Sequence, residues 1–407
     1  MKFTEQEVLQ FVEENDVKFV KLAFCDLLGR QKNLSVVSQE LPSVFEKGKL
    51  FFTTVVRGFS HAGDLLLFPD PKSLTVLPWR PQAGEVVSLL SYVKRPDGSF
   101  FEGDTIHLLD EATRKLGEAG LSCEIGTECD FYVFKRDSEG NPTSIPVDRA
   151  GYFDTAPEDA CENLRRDIIL SLEDMGIVPT SSHHERGPGQ NEIDFLPTEP
   201  TTAARNFIYF KTAVKNVSYV SGLHATFAPK PVKGNVGSGL RITLTLGGKD
   251  GSAANKKTLD AFVEGILSKS RELIAFLNSK PESFELLGEL RAPAYGAEAN
   301  RTACIGIVDL ENGFKRVEFN SADCHINPFL VFALLLEAGL YGVGAGLKSK
   351  GKKFILGEEL PRSLGEALDC AEKSEWLRSV LSDKILEEFV RIKRTKIVAE
   401  HTFDIDV

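Results

Sequence analysis

Four short stretches carry an unusual density of ionisable side chains: ECDFYVF at 128–134, HHERGPGQNEIDF at 183–195, GLRITLTL at 239–246 and KRVEFN at 315–320. Side chains alternate across a strand, so residues two apart share a face. On that rule Glu128 and Asp130 oppose Cys129, Phe131 and Val133, while Glu192 and Asp194 oppose Ile193 and Phe195. Arg241, Thr243 and Thr245 oppose Leu240, Ile242 and Leu244, and Arg316, Glu318 and Asn320 oppose Val317 and Phe319. One such strand is ordinarily half of an amphipathic sheet with a face in water. Four of them with clustered acids ask for more. If Glu128, Asp130, Glu185, Glu192 and Glu318 line one cavity, their mutual repulsion requires cations. Sulfur-free oxygen donors suit Mg²⁺ or Mn²⁺, which also partner nucleotide phosphates. Zinc fits less well, because His183 and His184 are adjacent and face opposite ways on a strand, and a lone inward histidine is more often a hydrogen-bonded core residue. The turns GPGQ (187–190) and GNVGSG (234–239) would let backbone approach phosphate, although each alone is ordinary turn chemistry. No GxxxxGK[ST] loop occurs, so a P-loop is not indicated.

The elements that must position these residues alternate along the chain. Residues 1 to about 95 read as a short helix followed by strands: VKFVKLAFCDLLGRQKNLSVV is extended with a turn at Gly29, and VVSLLSYV follows a Pro-rich stretch. RPDGSFFEGD, 95–104, is turn-rich and marks a boundary, giving expected domains of 1–98 and 99–407. Beyond it TIHLLDEATRKLGEAG has helical spacing, and PEDACENLRRDIILSLEDMG predicts a helix with Pro157 in its first turn and Gly176 at its end. Helices are also expected over about 201–220 and, as one long element, near 255–278. The C-terminal part reads as helical, with Ser363 and Glu366 spaced as a capping box.

Composition narrows the function. With 407 residues, 42% hydrophobic, the chain can build a large core and more than one domain. A net charge of −11 without a dense basic tract makes nucleic acid a poor partner. Seven scattered cysteines, never in a CxxC pair, fit reduced thiols and a cytoplasmic location. The best apolar run, FLVFALLL at 329–336, is too short to span a bilayer, so no membrane segment is expected.

The segments FCDLLGRQKNLSV, LLLFPDPKSLTVLPW, GTECDFYVF, GYFDT, HHERGPGQNEIDF, ATFAPKP, VGSGL, ANRTA, KRVEF and NPFLVFALLLEAGLYG, in this order and spacing, resemble the glutamine synthetases of the bacterial type I kind over nearly the whole chain. The resemblance implies an α+β fold: a small N-terminal β-grasp domain plus a large C-terminal catalytic domain, in hexameric rings or paired rings with active sites between neighbours. It implies one metal site at Asp130, Glu185 and Glu192, with Asp130 where glutamate is usual, and a second at Glu128 and Glu318 beside the ATP phosphates. Arg301 and Arg316 match phosphate or nucleotide contacts, Tyr152 the ammonium pocket, and Asp26 an acid lent by the neighbouring subunit. On these matches the catalytic set is Asp26, Glu185 and Arg301 and the cofactor contacts include Arg316 and Tyr152; Arg241 and Thr245, on the polar face of GLRITLTL, are expected to join those contacts.

The departures are as informative. Arg241 stands where the family's second metal has a histidine ligand, and an arginine cannot donate electrons to a metal. The arginine for the substrate carboxylate falls on Leu286 and the flap glutamate on Arg291, while two further arginines become Gly306 and Asn320 and an asparagine becomes Val236. The loop around 346–357 is shortened to a Lys-rich turn. Two functions follow as expectations. One is an ATP-dependent carboxylate-amine ligase with altered substrates, joining a small carboxylic acid to an amine or ammonium, with ordinary glutamine synthesis impaired or absent. The other is an inactive oligomer that binds nucleotide for regulation or scaffolding.

Overall fold

A computed structural model describes residues 3–79, 85–287, 295–297, 305–310, 313–348 and 360–399. The N-terminal part contains α1 (Glu5–Glu14), β1 (Phe19–Cys25), β2 (Gln31–Val37), α2 (Leu41–Lys47), β3 (Lys49–Phe51), β4 (Leu65–Pro69), β5 (Thr75–Val76) and β6 (Val86–Lys94). Its sheet runs β2-β1-β6-β4-β3, with β5 also on β6, and the central pair β1 and β6 is parallel. The β1–β2 hairpin turns through Gly29, whose φ of 79° suits glycine. A Cβ at Gly29 would lie 2.5 Å from the Asn327 Cα, so this turn is pressed onto the larger domain.

The larger part begins with α3 (Thr105–Glu118), capped by the buried Asp104, whose carboxylate accepts from the N–H groups of Val93, Ile106 and His107. Next come β7 (Leu121–Arg136), β8 (Pro142–Pro146), α4 (Glu162–Asp174), β9 (Pro179–His184), β10 (Gln190–Phe195), α5 (Pro200–Val220), β11 (Leu223–Thr226) and β12 (Gly239–Gly248). These are followed by α6 (Lys256–Ser268), α7 (Ser270–Leu277), α8 (Ser283–Leu286), β13 (Tyr295–Ala297), β14 (Ile305–Asp309) and β15 (Lys315–Asp323). The chain closes with α9 (Pro328–Gly344), α10 (Leu364–Glu372), α11 (Glu375–Val380) and α12 (Asp383–Ala399). The nine-stranded sheet runs β13-β14-β15-β12-β7-β10-β9, with β8 and β11 also paired to β7.

The apolar run at 329–336 lies in α9, every residue of it buried: a helix apolar all round belongs in a core. It crosses α6 where Gly265 faces Gly342, since a Cβ on Gly265 would sit 2.1 Å from the Ala338 carbonyl. No helix among the described residues is long and apolar enough to cross a membrane. Two expectations need correction. The helix foreseen near 255–278 is two, α6 and α7, broken at Lys269, where φ is −107° and ψ 5°. Pro157 precedes rather than opens α4, because Asp159 binds the Cys161 N–H and Arg165 and holds the approach as a turn.

Candidate active site

Each acidic side chain reaches the polar face because its neighbours are committed to the core. On β7, Cys129, Phe131 and Val133 are buried, which turns Glu128 and Asp130 outward. Register then aligns the strands: His183 lies opposite Glu192, and Glu192 opposite Asp130. One strand further, Glu128 faces Arg241, and Thr243 faces Glu318, which in turn faces Gly306 on β14. The β12–β15 pairing shifts between Leu240 and Ile242, so that two steps on β12 span three on β15. That shift lays Arg241 beside Asn320.

Two overlapping donor groups result. A ring nitrogen of His183 and carboxylate oxygens of Glu185 and Glu192 lie within 4.8 Å of one another, as do oxygens of Glu128, Glu192 and Asp194. Glu192 belongs to both. Asp130 adjoins it, accepting from Gln190 Nε2 at 3.2 Å and the Gly239 N–H at 3.3 Å. Burial, the hydrogen bond and charge of Asp130, and then Asp194 push the Glu192 carboxyl up to about 10. Burial likewise raises Asp130 to about 6, with the charge of Glu185 adding to it. Wedged between two acids, Glu192 is thus driven toward its protonated form when no cation is bound. Carboxylate oxygens with one imidazole form a donor set that suits a hard divalent cation, which would take over the proton's role. Glu185 is fixed for this by His183 Nε2 at 3.1 Å and by the Arg186 N–H at 3.1 Å.

On the other side of the cluster Arg241 brings a positive charge to Glu128. Its Nη1 donates to Glu128 Oε2, its Nε donates to Asn320 Oδ1 at 3.1 Å, and its Nε lies 4.0 Å from Glu318 Oε2. Arg316 binds Glu318 through Nε at 3.1 Å and Nη2 at 2.6 Å. Burial raises the Glu128 carboxyl above its ordinary range, while Arg241 pulls it back. A third acid group, Asp148, Asp159 and His184, is structural: His184 bridges the Glu185 carbonyl and Asp148, and Asp159 pairs with Arg165 at 2.6 Å. Burial lowers the pKa of His184, but these two acceptors outweigh it and the net shift is upward. This layer holds the β9–β10 turn that carries Glu185.

Comparison with known sequences places this architecture. The sequence profile of the glutamine synthetase β-grasp domain matches residues 16–96, and that of the glutamine synthetase catalytic domain matches residues 102–402. The chain is 36% identical to a glutamine synthetase of Clostridium saccharobutylicum, over 96% of this chain and 94% of that one. It is 35% identical to one of Methanosarcina mazei, over 96% and 93%. The chain belongs to the glutamine synthetase family.

Among solved structures it resembles one described as apo GmaS without ligand, with a TM-score of 0.87 and 25% identity over 98% of this chain and 97% of that one. A GmaS/ADP complex superposes with a TM-score of 0.84 over the same shares, at 24% identity. The family consists of ligases that use ATP and a divalent metal and that form oligomers, and the β-grasp and catalytic domains expected from the sequence are both present.

Within this family frame the structure brings together Glu128, Asp130, Glu185, Glu192, Arg241, Arg316 and Glu318. Tyr152 is half exposed at the rim, stacked on Phe153 and set edge-on to His183 at 5.5 Å. Thr245 lies opposite Arg316, roughly 13 Å along β12 from Arg241 at about 3.3 Å per residue. Asp26 lies apart, in the hairpin of the β-grasp domain. Its Oδ1 accepts from the N–H groups of Leu28 at 3.0 Å and Arg30 at 2.9 Å, while Oδ2 is buried without a hydrogen-bond partner in this single chain. Burial raises its carboxyl above the ordinary range, against those N–H groups and Lys32 and Arg57. Leu286 packs on the turn before β12, its Cδ2 2.2 Å from where a Gly237 Cβ would be. Arg301 and Arg291 lie outside the described residues, as does 349–357 of the shortened loop.

Sequence reasoning did not choose between His183 and His184 and left His183 and Asp194 out of the metal set. Both signals were present: His183 and Glu185 are two apart, and Asp194 shares the face of Glu192. Gln190, buried and bonded to Asp130, had no signal beyond its place in a glycine-rich turn.

Proposed function

We propose that this member of the glutamine synthetase family is an ATP-dependent carbon–nitrogen ligase with altered acid specificity, using one divalent ion, Mg²⁺ or Mn²⁺, where a second cation's place is taken by Arg241. The single observation carrying this reading is the Arg241 guanidinium bonded to Glu128 and directed at Glu318 and Asn320. On this reading Asp130, Glu185 and Glu192, with His183, hold the ion, which supplies charge neutralisation for phosphoryl transfer when bound. Arg316 and Arg241 bring positive charge to the triphosphate, Arg301 adds a phosphate contact and Thr245 a polar one. A carboxylate oxygen of the acid displaces ADP from the γ-phosphorus, giving an acyl phosphate. A carboxylate, with Asp26 of a neighbouring subunit the nearest fit to that role, takes a proton from the ammonium held near Tyr152; the resulting ammonia, or an amine in its place, attacks the carbonyl carbon, and phosphate leaves as the C–O bond to it breaks.

Leu286, in place of a charged anchor, favours an acid less dependent on a carboxylate clamp at that point, so glutamate is a poor substrate. The assembly on this reading is a hexameric ring or a dodecamer in the cytoplasm, with the domain boundary at 98/99. Phosphate release from Mg-ATP or Mn-ATP across a panel of acids and amines tests it. The expected result is release with at least one pair other than glutamate and ammonium. No release with any pair, together with thermal stabilisation by nucleotide, supports an inactive nucleotide-binding oligomer instead.

A further inference from the structure

A cavity of about 350 Å³ opens between the two domains, lined from the smaller one by the β1–β2 hairpin. Its charge is the reverse of the chain's net −11. The β-grasp domain contributes Arg30, Lys32 and Arg57. The catalytic domain contributes Lys211 and Lys215, one turn apart on α5, with Lys280, His325 and Lys393 from three other segments. Among the described residues that line it, none is Asp or Glu. Two of the ammonium groups are held in place by carbonyls: Lys211 donates to the Cys324 oxygen and Lys393 to the Ser279 oxygen at 2.8 Å. Among the described residues, Asp323 acts on Lys211 and Asp26 lies near Lys32 and Arg57, and both acids also accept from backbone. Asp26 Oδ1 accepts from Leu28 and Arg30, and Asp323 accepts from the N–H groups of Ser279 and His325. The crowding has a cost that the ionisation equilibria register: burial lowers the pKa of Lys211, and burial with Lys280, Lys211, Lys215 and Lys393 holds His325 well below its ordinary value. Ile208, Phe227 and Leu364 give the cavity an apolar floor, and its size is within the range of small-molecule sites.

We propose that this cavity is an effector site for a compact polyanion bearing at least two phosphate or carboxylate groups. Gly29 and Arg30 form part of its wall and belong to the same turn as Asp26, so an occupant joins the Asp26 turn to α5 and α12 of the larger domain. Binding stands independently of the ligase reading; only the consequence for Asp26 rests on it.

The test is calorimetric titration of the full chain, stripped of metal with EDTA and then freed of the chelator by dialysis, at low salt with inorganic tripolyphosphate and, separately, citrate. Without metal the catalytic cluster is acidic and repels both probes, so binding reports the basic cavity. The expected result is one site per chain, weakening as salt is raised, with the tighter probe distinguishing a phosphate from a carboxylate effector. Lys215→Glu combined with Lys280→Glu lowers the affinity by about tenfold or more, equivalent to about 1.4 kcal/mol, while Arg241→His leaves it unchanged. If that double variant does not fold by circular dichroism, Arg57→Gln, on an exposed residue, is used and weakens binding in the same direction. Failure of both probes to bind, or equal binding by a folded variant, overturns the proposal. Hydrogen exchange at the Gly29 and Arg30 amides slows with the probe bound; unchanged exchange removes the coupling to Asp26 while leaving the ligase assay as a separate question.

Discussion

Arg241→His isolates the substitution on which the functional reading turns. Removing the guanidinium leaves Glu128 beside Glu192 and Asp194 without its cation, whereas Glu318 keeps Arg316. Breaking a fully buried pair costs about 3–5 kcal/mol, and a surface pair is worth about 0–1 kcal/mol. The Arg241 and Glu128 side chains are 35% and 26% exposed, so the loss falls between these limits, at about 2 kcal/mol in metal-free buffer. At pH 8 the new imidazole is neutral and can donate to an ion. Each ion site filled at 100 times its Kd returns about 2.7 kcal/mol. Thermal unfolding with EDTA and with Mn²⁺ is the assay. The variant melts below the wild type in EDTA and recovers more than the wild type when Mn²⁺ is added, because it gains a site. A variant as stable as the wild type in EDTA, with the same response to Mn²⁺, refutes the idea that Arg241 supplies a missing cation.

Three further outcomes follow. Glu192→Gln removes the acid wedged between Asp130 and Asp194; it raises the melting temperature of the metal-free protein and abolishes stabilisation by Mn²⁺, both read by thermal unfolding. Asp104, pushed by burial from 3.8 to about 7, binds its proton more tightly folded than unfolded, so its contribution lowers stability as pH rises from about 4 to 7; Asp104→Asn, though less stable overall, loses that part of the pH slope in melts across this window. Gly265→Ala places a methyl against the Ala338 carbonyl where α6 crosses α9 and destabilises by about 1–3 kcal/mol in urea unfolding, with loss of soluble oligomer as the readout if the helices cannot part.

Much of the site was legible because the period-two alternation of a strand is rigid: once Phe131, Ile193, Ile242 and Phe319 are assigned to the core, the polar face is fixed. Glycine at 29 and the apolar run of α9 were equally plain, since a left-handed turn and a fully buried helix each leave a compositional mark. Register was not legible. That His183 sits opposite Glu192, and that a shift between Leu240 and Ile242 brings Arg241 to Asn320, depends on pairing between distant strands. The break between α6 and α7 leaves no proline or glycine at Lys269 to announce it. The position of Pro157 is decided by the Asp159–Arg165 pair, a tertiary contact. The basic cavity was invisible for the same reason: its cations come from segments scattered between Arg30 and Lys393, none of which is a basic tract.

The most direct measurement is an anomalous difference map at the manganese edge from crystals grown with Mn²⁺ and a non-hydrolysable ATP analogue. The account predicts one strong peak per chain, bounded by Asp130, Glu185 and Glu192, with the Arg241 guanidinium still on Glu128. Two full peaks with Arg241 turned away, or no peak beside Glu192, would contradict it.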